Sequence, residues 1–291
     1  VEPFTSNPAL VVILGPTAAG KTSLAIKLAR QFNGEIVAAD SRTIYKGMDI
    51  GTAKPSKEEQ GLIRHHLLDV VFPGDRFTVA DFQRMANSAI AAIATRGKLP
   101  ILVGGSGLYI DAVIYSFSFR GASNPQRRKL LESLSVEALQ LSLRKQKIAL
   151  PKNERNPRQL IRALESEGAL PHREPLRQHT IVIGLDSELE VLQEKITKRV
   201  DSMVDLGFVE EVRGLGETYG WDIPALQAPG YRAFRSYLLK EVSLVEAKKL
   251  FVQRDLQYAK RQKTWFKRNS DIHWISKPDE AVDLVTTFLN K

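Results

Sequence analysis

The segment Gly15-Pro16-Thr17-Ala18-Ala19-Gly20-Lys21-Thr22 fits the pattern G-x-x-x-x-G-K-[ST], and its residue types are suited to holding phosphate. Glycines let consecutive backbone N–H groups turn inward around an anion. A helix that starts where the loop ends adds the positive end of its dipole. Lys21 can then reach an outer phosphate, and the Thr22 hydroxyl is the oxygen such a loop offers to Mg²⁺. The plain alternative is a glycine turn that only caps a helix. The flanks favour the phosphate loop: the apolar run Leu10–Leu14 precedes it and a helical pattern over Ser23–Phe32 follows, in the strand–loop–helix order the motif requires. A di- or triphosphate ligand is implied. Which one, and whether a phosphoryl group moves, stays open.

Asp40 is the second position of interest. It ends the apolar segment Ile36-Val37-Ala38-Ala39. A carboxylate there can ligate a metal, act as a general base, or accept hydrogen bonds in a turn. A third cluster, Gly104-Gly105-Ser106-Gly107, follows the apolar run Leu99–Val103. These positions need a scaffold, and the first part of the chain supplies one. Short apolar strands alternate with helical patterns over Thr22–Phe32 and Phe77–Thr95, which implies a parallel sheet with crossover helices. Ligands of such sheets sit at the carboxyl ends of the strands. All three clusters come just after a strand, so they share one rim, and one active site there is expected.

From about Ser116 to Gln178 the strand signal fades. Leucines mark short helices, and basic residues are dense, among them Arg120, Arg127, Arg128, Arg144, Arg158 and Arg162. This reads as a small helical insertion with a cationic surface. Thr180–Leu185 returns to the sheet, amphipathic stretches follow at Leu189–Leu206 and Val209–Leu215, and Ser243–Lys267 is the clearest late helix. Ile272–Ile275 reads as a last strand. The predicted fold is α/β: a P-loop NTPase-like parallel-sheet core of residues 1–115 and 179–291, with a helical domain inserted at 116–178.

The chain has 291 residues, 43% of them hydrophobic, enough for a packed core. There is no cysteine, which excludes disulfides and cysteine-ligated zinc. No apolar run approaches the ~20 residues needed to span a bilayer, and no signal peptide is visible, so a cytoplasmic protein without membrane contact is expected. The formal net charge of +9 suits a polyanionic partner, or simply a soluble surface. Over Arg254–Arg268, cations interleave with Tyr258, Trp265 and Phe266. Lys260, Lys263 and Lys267 share a helical face, suited to RNA phosphates, while the aromatics either stack on bases or belong to the core.

The run Asp40-Ser41-Arg42-Thr43 through Tyr45 and Met48–Pro55 resembles that of the tRNA dimethylallyltransferase family, and the resemblance spans almost the whole chain. His65-His66-Leu67-Leu68-Asp69, Gly104–Tyr109, Asn156–Glu165, Gly230-Tyr231-Arg232 and Ala259–Phe266 all match that family's motifs in order. Two departures are Ala19, where Ser is usual, and Ser106, where Thr is commoner. The lack of cysteine favours the bacterial type, since the eukaryotic enzymes usually add a zinc finger.

The resemblance implies that dimethylallyl diphosphate is the donor. Gly15, Thr17, Ala18, Ala19, Gly20, Lys21 and Thr22 would hold its diphosphate, with Mg²⁺ at Thr22. Asp40 would be the general base for N6 of a flipped-out adenosine beside the anticodon, with Ser106 near that amine. Arg199 is the candidate for the family's diphosphate-binding arginine; an ordinary helix-surface arginine is the alternative. tRNA contacts are expected at Asp40, Ser41, Arg42, Thr43 and Ser106. Further ones are expected at Arg158, Gln159 and Arg162, at Gly230, Tyr231 and Arg232, and at Lys260, Arg261, Lys263 and Lys267. The partners expected are tRNA and dimethylallyl diphosphate, with the chain a monomer. His65 and His66 point in different directions and lack a third histidine, so a hydrogen-bonding role is expected rather than metal ligation.

The chemistry is consistent with this set. An exocyclic adenine amine is a poor nucleophile, and allylic C1 compensates by becoming cationic as diphosphate leaves. The site must then stabilise the leaving group, place a base at the amine and exclude water. Rival readings are a small-molecule kinase with the same loop, an isopentenyltransferase acting on free AMP, ADP or ATP, and a noncatalytic RNA-binding module.

Overall fold

The computed structural model describes residues 7–119, 124–168 and 172–290. Arg120 lies outside them. The first strand, β1 (Leu10–Leu14), is buried along its whole length, as a strand covered on both faces must be. It leads through the glycine loop into α1 (Lys21–Gln31), then β2 (Gly34–Ala39), α2 (Lys57–Leu62) and the two-residue β3 (His65–His66). α3 (Val79–Thr95) starts at a capping box in which Thr78 and Asp81 satisfy each other's backbone N–H groups. β4 (Leu99–Gly104) and α4 (Gly107–Ile114) follow. After the inserted helices α5 (Pro125–Glu132), α6 (Val136–Lys145) and α7 (Pro157–Glu165) the chain returns as β5 (Thr180–Leu185). α8 (Leu189–Asp205), α9 (Phe208–Tyr219), a 3₁₀ turn (Pro224–Gln227), α10 (Pro229–Leu238) and α11 (Leu244–Phe266) come next. β6 (Ile272–Ile275) and α12 (Pro278–Leu289) close the chain.

The six strands form one sheet in the order β3-β2-β4-β1-β5-β6, every pair parallel. The expected α/β class with a parallel sheet is what the fold shows. The register positions the site. Ala39 is level with Gly104, and Gly104 with Leu14, so Gly15, Asp40 and Gly105 leave the sheet side by side. The strands can approach so closely because Gly104 has no side chain: a Cβ there would sit 1.9 Å from the Ala39 carbonyl oxygen.

One core lies between the sheet and α1 and α12. A second gathers the buried faces of α8 to α11 around Phe208, Phe234 and Phe251, together with Ile44 and Met48 from the segment after β2. The chain divides into two compact units, residues 1–115 with 176–291, and residues 116–175. The boundary falls at Pro175 rather than Gln178 because Arg177 is tied to the core: its N–H donates to the Ile114 carbonyl, and its guanidinium to the Pro8 carbonyl, each at 2.8 Å. The second unit has its own core of Leu131, Leu139, Leu143, Leu160, Ile161 and Leu164. Among the described residues no helix is long and apolar enough to cross a membrane.

Candidate active site

The loop between β1 and α1 turns through left-handed backbone at Ala18 (φ +62°) and Gly20 (φ +90°). Gly15 is confined by its neighbour, since a Cβ there would meet the Leu185 carbonyl oxygen at 2.7 Å. The Lys21 ammonium donates to the Pro16 carbonyl at 2.7 Å, folding back across its own loop. Burial pushes its pKa down to about 8; the nearby Asp40 carboxylate opposes this and the Arg199 charge adds to it. Lys21 and Thr22 border a cavity of about 380 Å³ whose other walls include Ala18, Thr43, Leu68 and Lys195. A lining that combines cations with aliphatic groups suits a diphosphate with a short hydrocarbon tail.

Asp40 stands beside the loop. Its Oδ1 accepts the backbone N–H of Arg42 at 2.7 Å and, more weakly, that of Thr43 at 3.4 Å. The turn fixes the carboxylate, and Oδ2 accepts no hydrogen bond among the described residues. The Ser41 N–H donates to Ser106 Oγ at 3.0 Å, and the Ser106 N–H to the Ala39 carbonyl at 3.3 Å. Ser106 therefore joins the end of β2 to the end of β4 and sets where Asp40 points. The sequence reading missed Gln262 as a site residue, although it lies within a quoted motif. Its side-chain oxygen accepts the Thr17 N–H of the phosphate loop and its Nε2 donates to the Gly105 carbonyl, both at 2.9 Å. Gly105 must be glycine for this, because a Cβ would lie 2.3 Å from Nε2. A single buried amide on α11 thus pins two rim loops together.

A second cavity, of about 510 Å³, is also bordered by Asp40. Thr17, Asp40 and Arg199 border both cavities, so the carboxylate and the guanidinium stand where the two meet. Arg199 is not a free surface arginine. It donates to Asp255 of α11 at 2.6 Å, while its buried Nε has no acceptor among the described residues. Burial raises the Asp255 carboxyl, against the opposing pull of Arg199. The Arg42 guanidinium donates to the Pro224 and Ala225 carbonyls at 2.9 and 3.2 Å. Arg232, Arg254 and Arg261 complete a strongly cationic wall, with Tyr258 between them. Arg254 and Tyr258 belong to the stretch read from sequence as suited to RNA, and both border this cavity, whereas Asp255 went unassigned.

Several expected contacts are corrected. Lys263 does not share the exposed face of Lys260 and Lys267: its ammonium donates to the Ser187 carbonyl and pairs with Asp186, each at 2.7 Å. Tyr231 is 1% exposed, and its hydroxyl donates to Glu211 at 2.6 Å. The same carboxylate accepts the N–H groups of Asp49, Ile50 and Gly51, so Tyr231 belongs to a structural clasp on the Met48–Pro55 segment. Gly230 packs against Phe251, where a Cβ would come within 2.5 Å, and borders the larger cavity with no side chain to offer. Lys260, Arg261 and Lys267 are exposed. Trp265 is half-exposed, with its indole N–H donating to Asp111 at 2.9 Å, whereas Phe266 is core. In the second unit Arg158, Gln159 and Arg162 lie exposed on α7.

The two histidines make hydrogen bonds. His66 Nε2 meets the buried Glu35 carboxylate at 2.7 Å, and His65 Nδ1 meets the Ile63 carbonyl at 2.8 Å. No group of three or more His, Asp or Glu that could hold a metal ion occurs among the described residues.

A sequence model of the IPP transferase family matches residues 43–269. This chain belongs to the IPP transferase family. Within that family, a tRNA dimethylallyltransferase of Anoxybacillus flavithermus is 43% identical over 286 residues, covering 94% of this chain and 92% of that protein. The full-length tRNA isopentenylpyrophosphate transferase of Bacillus halodurans has a solved structure that superposes with a TM-score of 0.77 at 37% identity. It covers 98% of this chain and 97% of its own. A eukaryotic dimethylallyltransferase acting on tRNA also superposes with a TM-score of 0.77, at 27% identity, over 93% of this chain and 74% of that one. The IPP transferase match takes in Thr43, Ser106, Arg199, Arg254 and Gln262, while the phosphate loop and Asp40 lie ahead of it.

Proposed function

We propose that this protein transfers the dimethylallyl group of dimethylallyl diphosphate to N6 of an adenosine in the tRNA anticodon loop, position 37, releasing diphosphate. One observation carries the reading: Asp40 and Arg199 border both a phosphate-loop cavity with aliphatic walls and a larger cavity walled by arginines. A donor in the first and an extruded base in the second would meet at Asp40.

The C1–O bond of the donor breaks as the C1–N6 bond forms. Lys21, the loop N–H groups and the spare Nε–H of Arg199 stabilise the charge that collects on the departing diphosphate. To do so Lys21 must leave the Pro16 carbonyl. Asp40 Oδ2 takes the N6 proton, and its partner oxygen stays fixed by the turn, so the base is oriented before the substrate arrives. The walls around Ala18 and Leu68 keep water from the allylic carbon. Thr22 offers one hydroxyl oxygen, and among the described residues no group of three or more carboxylates or histidines gathers to cage a metal, a donor set that fits Mg²⁺ held mainly by substrate phosphates and water. Bound there, Mg²⁺ would neutralise charge on the leaving diphosphate. On this reading the enzyme is a cytoplasmic monomer.

The test offers labelled dimethylallyl diphosphate and Mg²⁺ with an anticodon stem-loop in one reaction and AMP in another. Label on the stem-loop is expected. Label on AMP alone would make the acceptor a free nucleotide, and label on neither, with ATP turnover, would return the loop to the kinases.

A further inference from the structure

Thr17, Asp40, Thr52, Ala53 and Arg199 border both cavities. Three of these are fixed by contacts already described: the Thr17 N–H by Gln262, Asp40 by its own turn, and Arg199 by Asp255. Thr52 and Ala53 belong to no helix or strand, so their part of the wall must be held from outside. Ala53 is also bent into left-handed backbone at φ +52°, a conformation unfavourable for a residue with a Cβ. Such a residue persists only where its surroundings impose the bend, and these residues gather at ligand clamps and active sites.

Much of what holds this turn is one carboxylate. Glu211 on α9 accepts the N–H groups of Asp49 and Ile50 on Oε2, at 2.9 and 2.7 Å. Its Oε1 accepts the Gly51 N–H at 3.0 Å and the hydroxyl of Tyr231 on α10 at 2.6 Å. Burial, and then the Glu211 charge, raise the phenol well above its usual range, so it stays the donor. Gly51 has no room for a side chain, since a Cβ would lie 2.1 Å from the Phe208 ring. From the far end of the turn, Lys54 donates to the Tyr45 carbonyl at 3.0 Å and to Asp69 at 2.6 Å. Thr52 and Ala53 are the two residues between these anchors. A charged acceptor shared by three consecutive backbone N–H groups and a buried hydroxyl is far more than a surface turn requires.

A firm wall at this junction bears on the outcome of the reaction. The allylic carbon turns cationic as diphosphate leaves, and any nucleophile that reaches it reacts. If water arrives first, its oxygen bonds to the C5 group and the C1–O bond to diphosphate breaks. The products are then a C5 alcohol, a proton and diphosphate. We propose that Glu211 and Tyr231 are positioning residues that hold Thr52 and Ala53 as a partition between the cavities, and that this partition commits the donor to transfer instead of hydrolysis. The partition rests on the transferase reading given under Proposed function. It needs no contact between Glu211 or Tyr231 and either substrate.

Dimethylallyl diphosphate labelled in its C5 group is given, with the anticodon stem-loop, to wild type, Glu211→Gln, Tyr231→Phe and Ala53→Gly. Label in free C5 alcohol is compared with label on RNA, and the melting temperature of each protein is measured. Whichever way an amide lies at 211, it turns a donor toward two other donors. Glu211→Gln is expected to raise the alcohol-to-RNA ratio about tenfold, the scale of one lost hydrogen bond to a charged group, with total donor consumption within about threefold of wild type. Tyr231→Phe removes one of the four donors and should raise the ratio less. Ala53→Gly relaxes the left-handed residue, so its melting temperature should hold or rise. Its ratio should rise all the same, because a freer backbone then stands on the shared border. A ratio that stays at the wild-type value in Ala53→Gly, or that moves across the set only as melting temperature falls, would make the contacts of Glu211 stabilising ones alone and overturn the partition. Should Glu211→Gln not fold, Tyr231→Phe and Ala53→Gly decide the matter. No label on RNA with wild type would overturn the transferase reading itself, whereas transfer by wild type with an unchanged ratio in the variants overturns the partition alone.

Discussion

At the scale of single residues, Asp40 has two tasks on one carboxylate. Oδ1 holds the turn at Arg42 and Thr43, and Oδ2 is left for the amine proton. Asp40→Asn keeps an oxygen for the turn and removes the base. It is expected to lower the single-turnover rate by about 10²–10⁴ while leaving stem-loop affinity within about threefold; a rate close to wild type would remove Asp40 from the chemistry. Lys21, with its pKa lowered to about 8 by burial, is charged below that value and loses its charge above it. Affinity for inorganic diphosphate should therefore fall as pH rises through about 8, approaching tenfold per pH unit if only the charged form binds. Lys21→Arg should flatten that dependence. The loop, Asp40 and Ser106 were legible in the sequence because each sits in a short run of special residues just after a strand. Gln262 and Asp255 were not: their partners lie 157 and 56 residues away, and only the fold brings them together.

At the scale of elements, α11 joins the parts of the site. One side packs through Phe251, Ala259 and Phe266, Gln262 reaches under the phosphate loop, and Lys260, Arg261 and Lys267 face outward. Replacing those three exposed cations by Gln should weaken RNA binding and flatten its salt dependence, with little change in melting temperature. Lys263→Gln should do the reverse: it releases Asp186 and the Ser187 carbonyl, lowering the melting temperature with little change in the salt slope. The helix itself was readable as Ser243–Lys267, and the structure starts it at a capping box of Ser243 and Glu246. Which of its lysines faces solvent was not, because helical spacing defines a face but not the acidic loop across from it. The two-residue β3 also escaped, being too short to carry a period.

At the scale of the whole molecule, Glu35 acts as a polar keystone near the edge of the sheet. Burial alone would raise its pKa. Hydrogen bonds from His66, Arg96 and Lys98 outweigh that and hold it at about 2, against an ordinary 4.5. The stability this gives is fully present above about 4.5 and is lost as pH falls toward 2. Glu35→Gln should cost about 3 kcal/mol at neutral pH, since three donors lose a charged acceptor, and should blunt the acid transition seen by denaturant melts. The α/β plan and the inserted unit could be read from alternating strand and helix patterns and from the fading of strand signal after Ser116. The order of the strands could not, since it is set by crossovers that leave no local trace.

The core closes its own seam where the chain leaves it and returns. With the Ile114 carbonyl bonded to the Arg177 N–H, the points where the chain leaves the core and re-enters it lie side by side, and residues 116–175 form a compact unit of their own between them, a cassette in the sequence. Exchanging that cassette for a short Gly-Ser bridge should leave a chain that melts cooperatively and still binds diphosphate. Swapping in the corresponding segment of a relative should alter which RNAs are chosen and leave the transfer step alone. Selectivity and chemistry would then be free to change separately, one by substitution of a whole segment and the other only by the slower revision of a rim that Ser106 and Gln262 tie together.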